Sequence, residues 1–259
     1  MSVQDEADIR FENVVEAFGD RHVLDDVSFA VAPGETLCIM GRSGTGKSVT
    51  LKLMIRLLKP DRGKIFIQGQ SIGEMDEDAL SKVRRSMGFL FQSGALFSPF
   101  TLYENLAIPL ERLNSKLERL NSKSSADIKD VVRQRLQDVG LENDGDKMPS
   151  ELSGGMKKRA GLARALVFDP CILLADEPTS GLDRVTSSEI DELLLKLKEK
   201  DKKTMVIVTH DVRGARRVGD RIAVLDAGRV LAVGPLAELE KSENQLVRAL
   251  VSEEEHHAH

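Results

Sequence analysis

The sequence of 259 residues predicts an α/β protein, a parallel-sheet core interrupted by a helical insertion. Three observations carry that reading. Short continuous apolar runs recur at residues 35–40, 172–175, 204–208 and 222–225, the pattern of strands buried on both faces. A glycine-rich loop joins the first of these runs to a helix. Between residues 93 and 168 the texture changes to a mostly helical stretch rich in Leu, Lys, Arg and Asp.

In chain order, residues 11–17 and 23–31 read as strands flanking the turn Gly19-Asp20. Pro33-Gly34 then turns the chain into the buried strand 35–40. Residues 47–58 read as a helix, stopped by Lys59-Pro60, and 64–68 and 87–91 as further short strands. After the insertion the buried strands return, with an amphipathic helix at 187–200 between two of them, as a parallel crossover requires. Within the insertion the heptapeptide LERLNSK occurs twice in succession, at 110–116 and 117–123. Its leucines 110, 113, 117 and 120 have heptad spacing. Two heptads are few for a coiled coil, so the repeat reads as a lengthened surface helix or loop, with a partner-docking helix as the alternative. The end, residues 253–259, is acidic and His-rich and reads as a solvated tail, with adventitious metal binding as the alternative.

Composition narrows the classes. Apolar residues make up 41% and charged residues 31%, as in ordinary globular domains. No run approaches the roughly 20 apolar residues that span a bilayer. Residues 1–10 carry three acids and no basic-then-apolar pattern, so a secretory leader is not expected and the cytoplasm is the expected compartment. A net charge of −5 offers no electrostatic footprint for nucleic acid, and none is expected as a partner. Cys38 and Cys171 both sit in apolar runs and are expected to be small buried hydrophobes.

Three motifs carry chemistry. Gly41-Arg42-Ser43-Gly44-Thr45-Gly46-Lys47-Ser48 follows a buried strand and opens a helix, the context in which such a loop wraps phosphate oxygens with backbone N–H groups. Lys47 can reach the β- and γ-phosphates, and the Ser48 hydroxyl can coordinate Mg²⁺. Asp176 and Glu177 end a buried strand, where ligands of open α/β sheets bind. Asp176 suits Mg²⁺, and Glu177 suits the general base that polarises an attacking water. Leu152-Ser153-Gly154-Gly155-Met156 lies 24 residues before Asp176 and opens a second helix, offering free N–H groups, a hydroxyl and the positive dipole end to another anion.

The last segment resembles the signature LSGGQ of the ABC ATPase family, with Met156 in place of the usual Gln. The resemblance runs from about residue 9 to 240. It implies the P-loop NTPase fold of that family, a RecA-like parallel core with an antiparallel β subdomain and an inserted helical subdomain. A single domain is then expected over residues 9–240, its core at about 9–92 and 168–236 and its helical subdomain at about 93–167. A C-terminal helix and the acidic, His-rich tail would fill 241–259. In the family, Ser153, Gly154 and Gly155 would grip the γ-phosphate held by a second copy, so two ATP molecules would lie in a head-to-tail dimer. By the same resemblance Gln92 would contact Mg²⁺ and the attacking water, and Asp183 would belong to a loop crossing the dimer interface. His210 would be the switch residue on the γ-phosphate, and Phe18 would stack on adenine.

The segments FQSGAL (91–96) and LSGGMKKRAGLARAL (152–166) look like those of the ATPase subunits of MCE-type lipid transporters, including the Mla and organic-solvent-tolerance systems. That likeness implies a membrane permease, an MCE-type substrate-binding protein, a phospholipid or related hydrophobic cargo, and a place on the cytoplasmic face of the inner membrane. An importer of a polar solute such as an amino acid, and a soluble ABC ATPase outside transport, are the alternatives.

Overall fold

A computed structural model describes residues 6–117 and 125–252 of the chain. The chain starts as an antiparallel hairpin of β1 (Ile9–Phe18) and β2 (Arg21–Val31). Along β1 the side chains alternate between core and surface, the period of two that one buried face demands. The Phe11 and Phe29 rings stack across the pair at 4.6 Å. β3 (Thr36–Met40) is buried throughout and leads through the glycine loop to α1 (Lys47–Met54). The chain then returns to the first sheet with β4 (Arg62–Ile67) and β5 (Gln70–Ser71), giving the order β2-β1-β4-β5.

α2 (Glu77–Arg85) follows, capped by the Asp76 carboxylate on the Ala79 N–H. β6 (Met87–Leu90) leads into a helical arm of α3 (Leu102–Leu117), α4 (Ser125–Asp138) and α5 (Gly154–Ala165). β7 (Ile172–Asp176), α6 (Arg184–Glu199), β8 (Thr204–Val208), α7 (Val212–Val218), β9 (Arg221–Asp226) and β10 (Arg229–Gly234) complete the larger sheet. Its order is β10-β9-β3-β8-β7-β6, parallel except at β10. The short helices α8 (Leu236–Leu239) and α9 (Gln245–Val251) close the described chain.

The continuous apolar strands make sense in this sheet, because each feeds two cores. Leu37, Ile39, Leu174 and Val206 face the antiparallel sheet and α1. Their neighbours Cys38, Met40, Leu173, Ala175, Met205 and Ile207 face the helical arm, α6 and α7. A sheet buried on both sides holds its register firmly, since a one-residue slip would exchange the two cores. The ends of its strands are therefore fixed points for a site.

Two expectations need correction. α1 stops at Met54 rather than at residue 58, because Arg56 takes a left-handed backbone (φ 50) and the Leu57 N–H turns back to the Lys52 carbonyl. Cys38 is buried, but Cys171 is exposed, one residue ahead of the buried part of β7. Of the duplicated heptapeptide, the first copy lies in α3 with Leu110 in the core. Residues 118–124 of the second copy, and the tail 253–259, lie outside the described residues.

Candidate nucleotide site

The glycine loop hangs from the C-terminal end of β3, beside β8 and then β7, so three neighbouring strands deliver the candidate residues to one edge. Gly46 has φ 101, and a Cβ there would lie 2.7 Å from the Val23 carbonyl oxygen, so only glycine lets the loop close against β2. Lys47 folds its side chain back under the loop. Its Nζ donates to the Gly41 and Arg42 carbonyls, each at 2.8 Å. Burial draws its pKa down, against the pull of Glu177 and Asp176. Thr45 Oγ1 closes the loop by donating to the Arg42 carbonyl at 2.9 Å. Arg42, Ser43 and Gly44 are exposed, their backbone open to a ligand.

Ser48 Oγ donates to Asp176 Oδ1 at 2.9 Å, so the two oxygen-bearing side chains expected near Mg²⁺ already touch. Burial raises the Asp176 pKa, the Ser48 bond opposing it. A carboxylate and a hydroxyl half withdrawn from water form a hard donor set that fits a small divalent cation. Glu177 Oε2 accepts from His210 Nδ1 at 2.7 Å, which joins the ends of β7 and β8. That hydrogen bond is the main cause of the raised His210 pKa. Glu177 itself has a left-handed backbone, φ 49, a conformation that costs a residue with a Cβ about 1–2 kcal/mol. Its N–H donates to the Val208 carbonyl at 2.8 Å.

A cleft of about 680 Å³ opens beside these groups, lined by Gly41, Arg42 and Ser43, by Ser180 and Gly181, and by His210. Gln92 is exposed beyond the end of β6, the strand next to β7. Phe18 is half exposed at the hairpin tip, opposite Arg21 in the ladder. Asp183 caps α6, accepting from the Val185 and Thr186 N–H groups and the Thr186 hydroxyl, and these bonds hold its pKa down. Ser153 caps α5 through the Met156 N–H at 3.2 Å, and Ser153 and Gly154 are exposed. Ser153, Gly154 and Gly155 do not line this cleft, although a Cβ on Gly154 would lie 3.4 Å from Leu182, which does.

Three residues escaped the sequence reading. Arg21 Nη2 donates to the Gly44 carbonyl at 3.2 Å, bracing the glycine loop from the hairpin. Lys158 is buried on α5 with its ammonium on the Glu177 carbonyl at 2.7 Å. Arg164 ties α5 to the segment after Gln92, donating to the Ala95 carbonyl at 2.7 Å and the Gly94 carbonyl at 3.2 Å. There the backbones nearly touch, for a Cβ on Gly161 would lie 2.9 Å from Gly94 Cα. A readable signal existed for Lys158. It falls in step with Gly155 and Leu162 on the buried face of α5, where a cation is out of place.

The sequence pattern of the ABC transporter family matches residues 24–180. A probable ribonucleotide transport ATP-binding protein of Mycobacterium leprae is 42% identical over 244 residues, 94% of this chain and 68% of that protein. A methionine import ATP-binding protein of Ralstonia nicotianae is 39% identical over 235 residues, 90% of this chain and 65% of that protein. The chain thus spans about two thirds of the length of these relatives. Among solved structures, a dimeric ATP-binding cassette in a post-hydrolysis state with ADP and Pi superposes with a TM-score of 0.79 at 36% identity, over 88% of this chain and 98% of that one. CbiO1 of Clostridium perfringens, part of an ABC transporter complex, gives 0.77 at 27% identity, over 95% and 99%. Fold, loop geometry and relatives agree: the chain belongs to the ABC transporter family, as an ATP-binding subunit that hydrolyses ATP.

Proposed function

We propose that two copies of this chain sandwich two ATP molecules head to tail and drive a membrane permease that moves phospholipid or a related hydrophobic substrate. The observation that carries the catalytic half is the Glu177–His210 contact, set beside Lys47 and the Ser48–Asp176 pair at adjacent strand ends. In this reading the N–H groups of residues 41–46 and the Lys47 ammonium hold the β- and γ-phosphates. Phe18 stacks on the adenine. Glu177 takes a proton from water as that water attacks the γ-phosphorus, and the bond to the leaving oxygen of ADP breaks. His210 keeps the carboxylate aimed and reaches the γ-phosphate. Ser48, Asp176 and Gln92 would hold Mg²⁺, which neutralises phosphate charge when bound. Ser153, Gly154 and Gly155 grip the partner's nucleotide, and the Asp183 loop lies between the copies.

No helix among the described residues is long and apolar enough to cross a membrane. In this reading the chain sits on the cytoplasmic face through the permease. The exposed rings of Phe97 and Phe100, just after Gln92, suit that contact. The lipid cargo, and with it an MCE-type substrate-binding protein, rests on the likeness of segments 91–96 and 152–166 to the MCE-linked ATPases. The relative from Ralstonia nicotianae, named for methionine import, favours a second reading, an importer of a polar solute. Purification from membranes in mild detergent separates the two. Co-purifying permease with bound phospholipid supports the first, and a soluble solute-binding partner supports the second. Recovery without any integral membrane protein would remove both. For the chemistry, Glu177→Gln should retain ATP binding and lose turnover by about 10²–10⁴-fold. Near-normal hydrolysis in that variant removes Glu177 from the role.

A further inference from the structure

Lys158 lies on the buried face of α5, just over one turn past the Ser153 cap, and is only 5% exposed. An ammonium is among the costliest groups to bury, and it persists where partners use it. Its hydrogen-bond partners are not carboxylates. Nζ donates to the Glu177 carbonyl at 2.7 Å and faces the Ser180 hydroxyl at 3.4 Å. The same carbonyl accepts from the Ser180 N–H at 3.2 Å and from Ser180 Oγ at 3.1 Å. With the Glu177 N–H on Val208, the left-handed backbone of Glu177 is thus held by groups from three places: β8, the turn after β7, and α5. Among the described residues, only Lys158 reaches it from the helical arm. A strained conformation persists when its surroundings over-determine it, and here one of the determinants belongs to a different structural block.

We infer that Lys158 is a positioning residue for ATP hydrolysis: by clamping the Glu177 carbonyl it sets the direction of the Glu177 carboxylate and couples that direction to the helix that begins at Ser153. The inference rests on Glu177 being the base, as proposed above. Movement of α5 relative to β7 would stretch the clamp and turn the carboxylate away from its water, while the glycine loop kept its grip on phosphate.

The test uses the full chain with Lys158→Met, Lys158→Gln and Lys158→Arg, alone and combined with Glu177→Gln. Steady-state hydrolysis, binding of a fluorescent ATP analogue and thermal unfolding are measured together. Lys158→Met should lower kcat by about 10–100-fold while leaving the nucleotide Kd within about 3-fold, and Lys158→Arg should recover much of the loss. In the Glu177→Gln background, Lys158→Met should change the residual turnover by less than about 2-fold, because the two residues act as a unit. If Lys158→Met fails to fold, Lys158→Gln carries the same measurements. A folded variant with kcat within about 2-fold of wild type, or the same fold-loss in both backgrounds, overturns the inference. Wild-type turnover in Glu177→Gln alone sinks the assignment of the base instead, so the two failures are distinguishable.

Discussion

The loops that open α1 and α5 use the same ingredients, glycines, a hydroxyl and a helix N-terminus, yet they stand in opposite conditions. The first is held from several sides, though its tip is exposed. It is braced by Arg21, closed on itself by Thr45, and underlaid by the Lys47 ammonium, with Asp176 already on Ser48. The second is bare. Ser153 spends its oxygen on capping its own helix, Ser153 and Gly154 face solvent, and the nearest buried cation on α5 points away to Glu177. Similar local sequences therefore make different objects: a loop braced on its own chain, and an open one that in the proposed dimer would be completed by the other copy.

The sharpest way to break this contrast is Lys47→Ala. Removing a charge-assisted donor worth about 1.5–3 kcal/mol should weaken ATP binding by about 10–100-fold, read by titration with a fluorescent analogue. Normal binding and hydrolysis would mean that the first loop is not the cradle. Next, Ser153→Arg should leave ATP binding to the single chain intact and abolish turnover, as Lys47→Ala does by another route. Mixing the two inactive variants should then restore turnover toward about a quarter of wild type, since mixed dimers regain one whole site. No recovery on mixing would argue that each chain completes its own site.

Ser153→Ala should act more gently, lowering turnover several-fold and costing about 1 kcal/mol of stability through the lost cap, measured by denaturant unfolding. The smallest effect is electrostatic. The His210 pKa is raised above its ordinary value of 6.5 chiefly by the bond to Glu177, so an NMR titration should show it falling in Glu177→Gln. A histidine with a raised pKa stabilises the folded chain fully below the ordinary value and loses that contribution as pH rises through the raised one. The melting-temperature gap between wild type and Glu177→Gln should therefore narrow over that interval. A pH-independent gap would place the contact elsewhere.

The parts of the site that act through backbone could be read before any coordinates. Glycine spacing, a strand's apolar run and two carboxylates at its end specify their own geometry, because local sequence dictates each. What stayed hidden depends on packing between distant segments. Lys158 looked like one more cation in LSGGMKKRAGLARAL until α5 was laid against the Glu177 turn. Arg21 looked like a hairpin-tip residue until the tip folded over Gly44. In the fold, α2 went unseen because it is only nine residues long, with five of them charged and its buried face made of Leu80 and Val83. The early stop of α1 at the left-handed Arg56, and the exposure of Cys171 just ahead of β7, are decided by how the chain leaves a helix and enters a strand, which apolar runs do not record.

The near-contact of Gly161 with Gly94 bears on the distance a signal has to travel. From that point, where the segment carrying Phe97 and Phe100 rests on α5, Lys158 is three residues away, about 4.5 Å along the helix axis. Both ends of this short rod are pinned to backbone, at one end by glycine packing and Arg164, at the other by the Lys158 ammonium. A membrane partner pressing on the aromatic segment would have no slack to take up before the Glu177 carbonyl felt it. The engine and its load would be connected by less than one turn of helix.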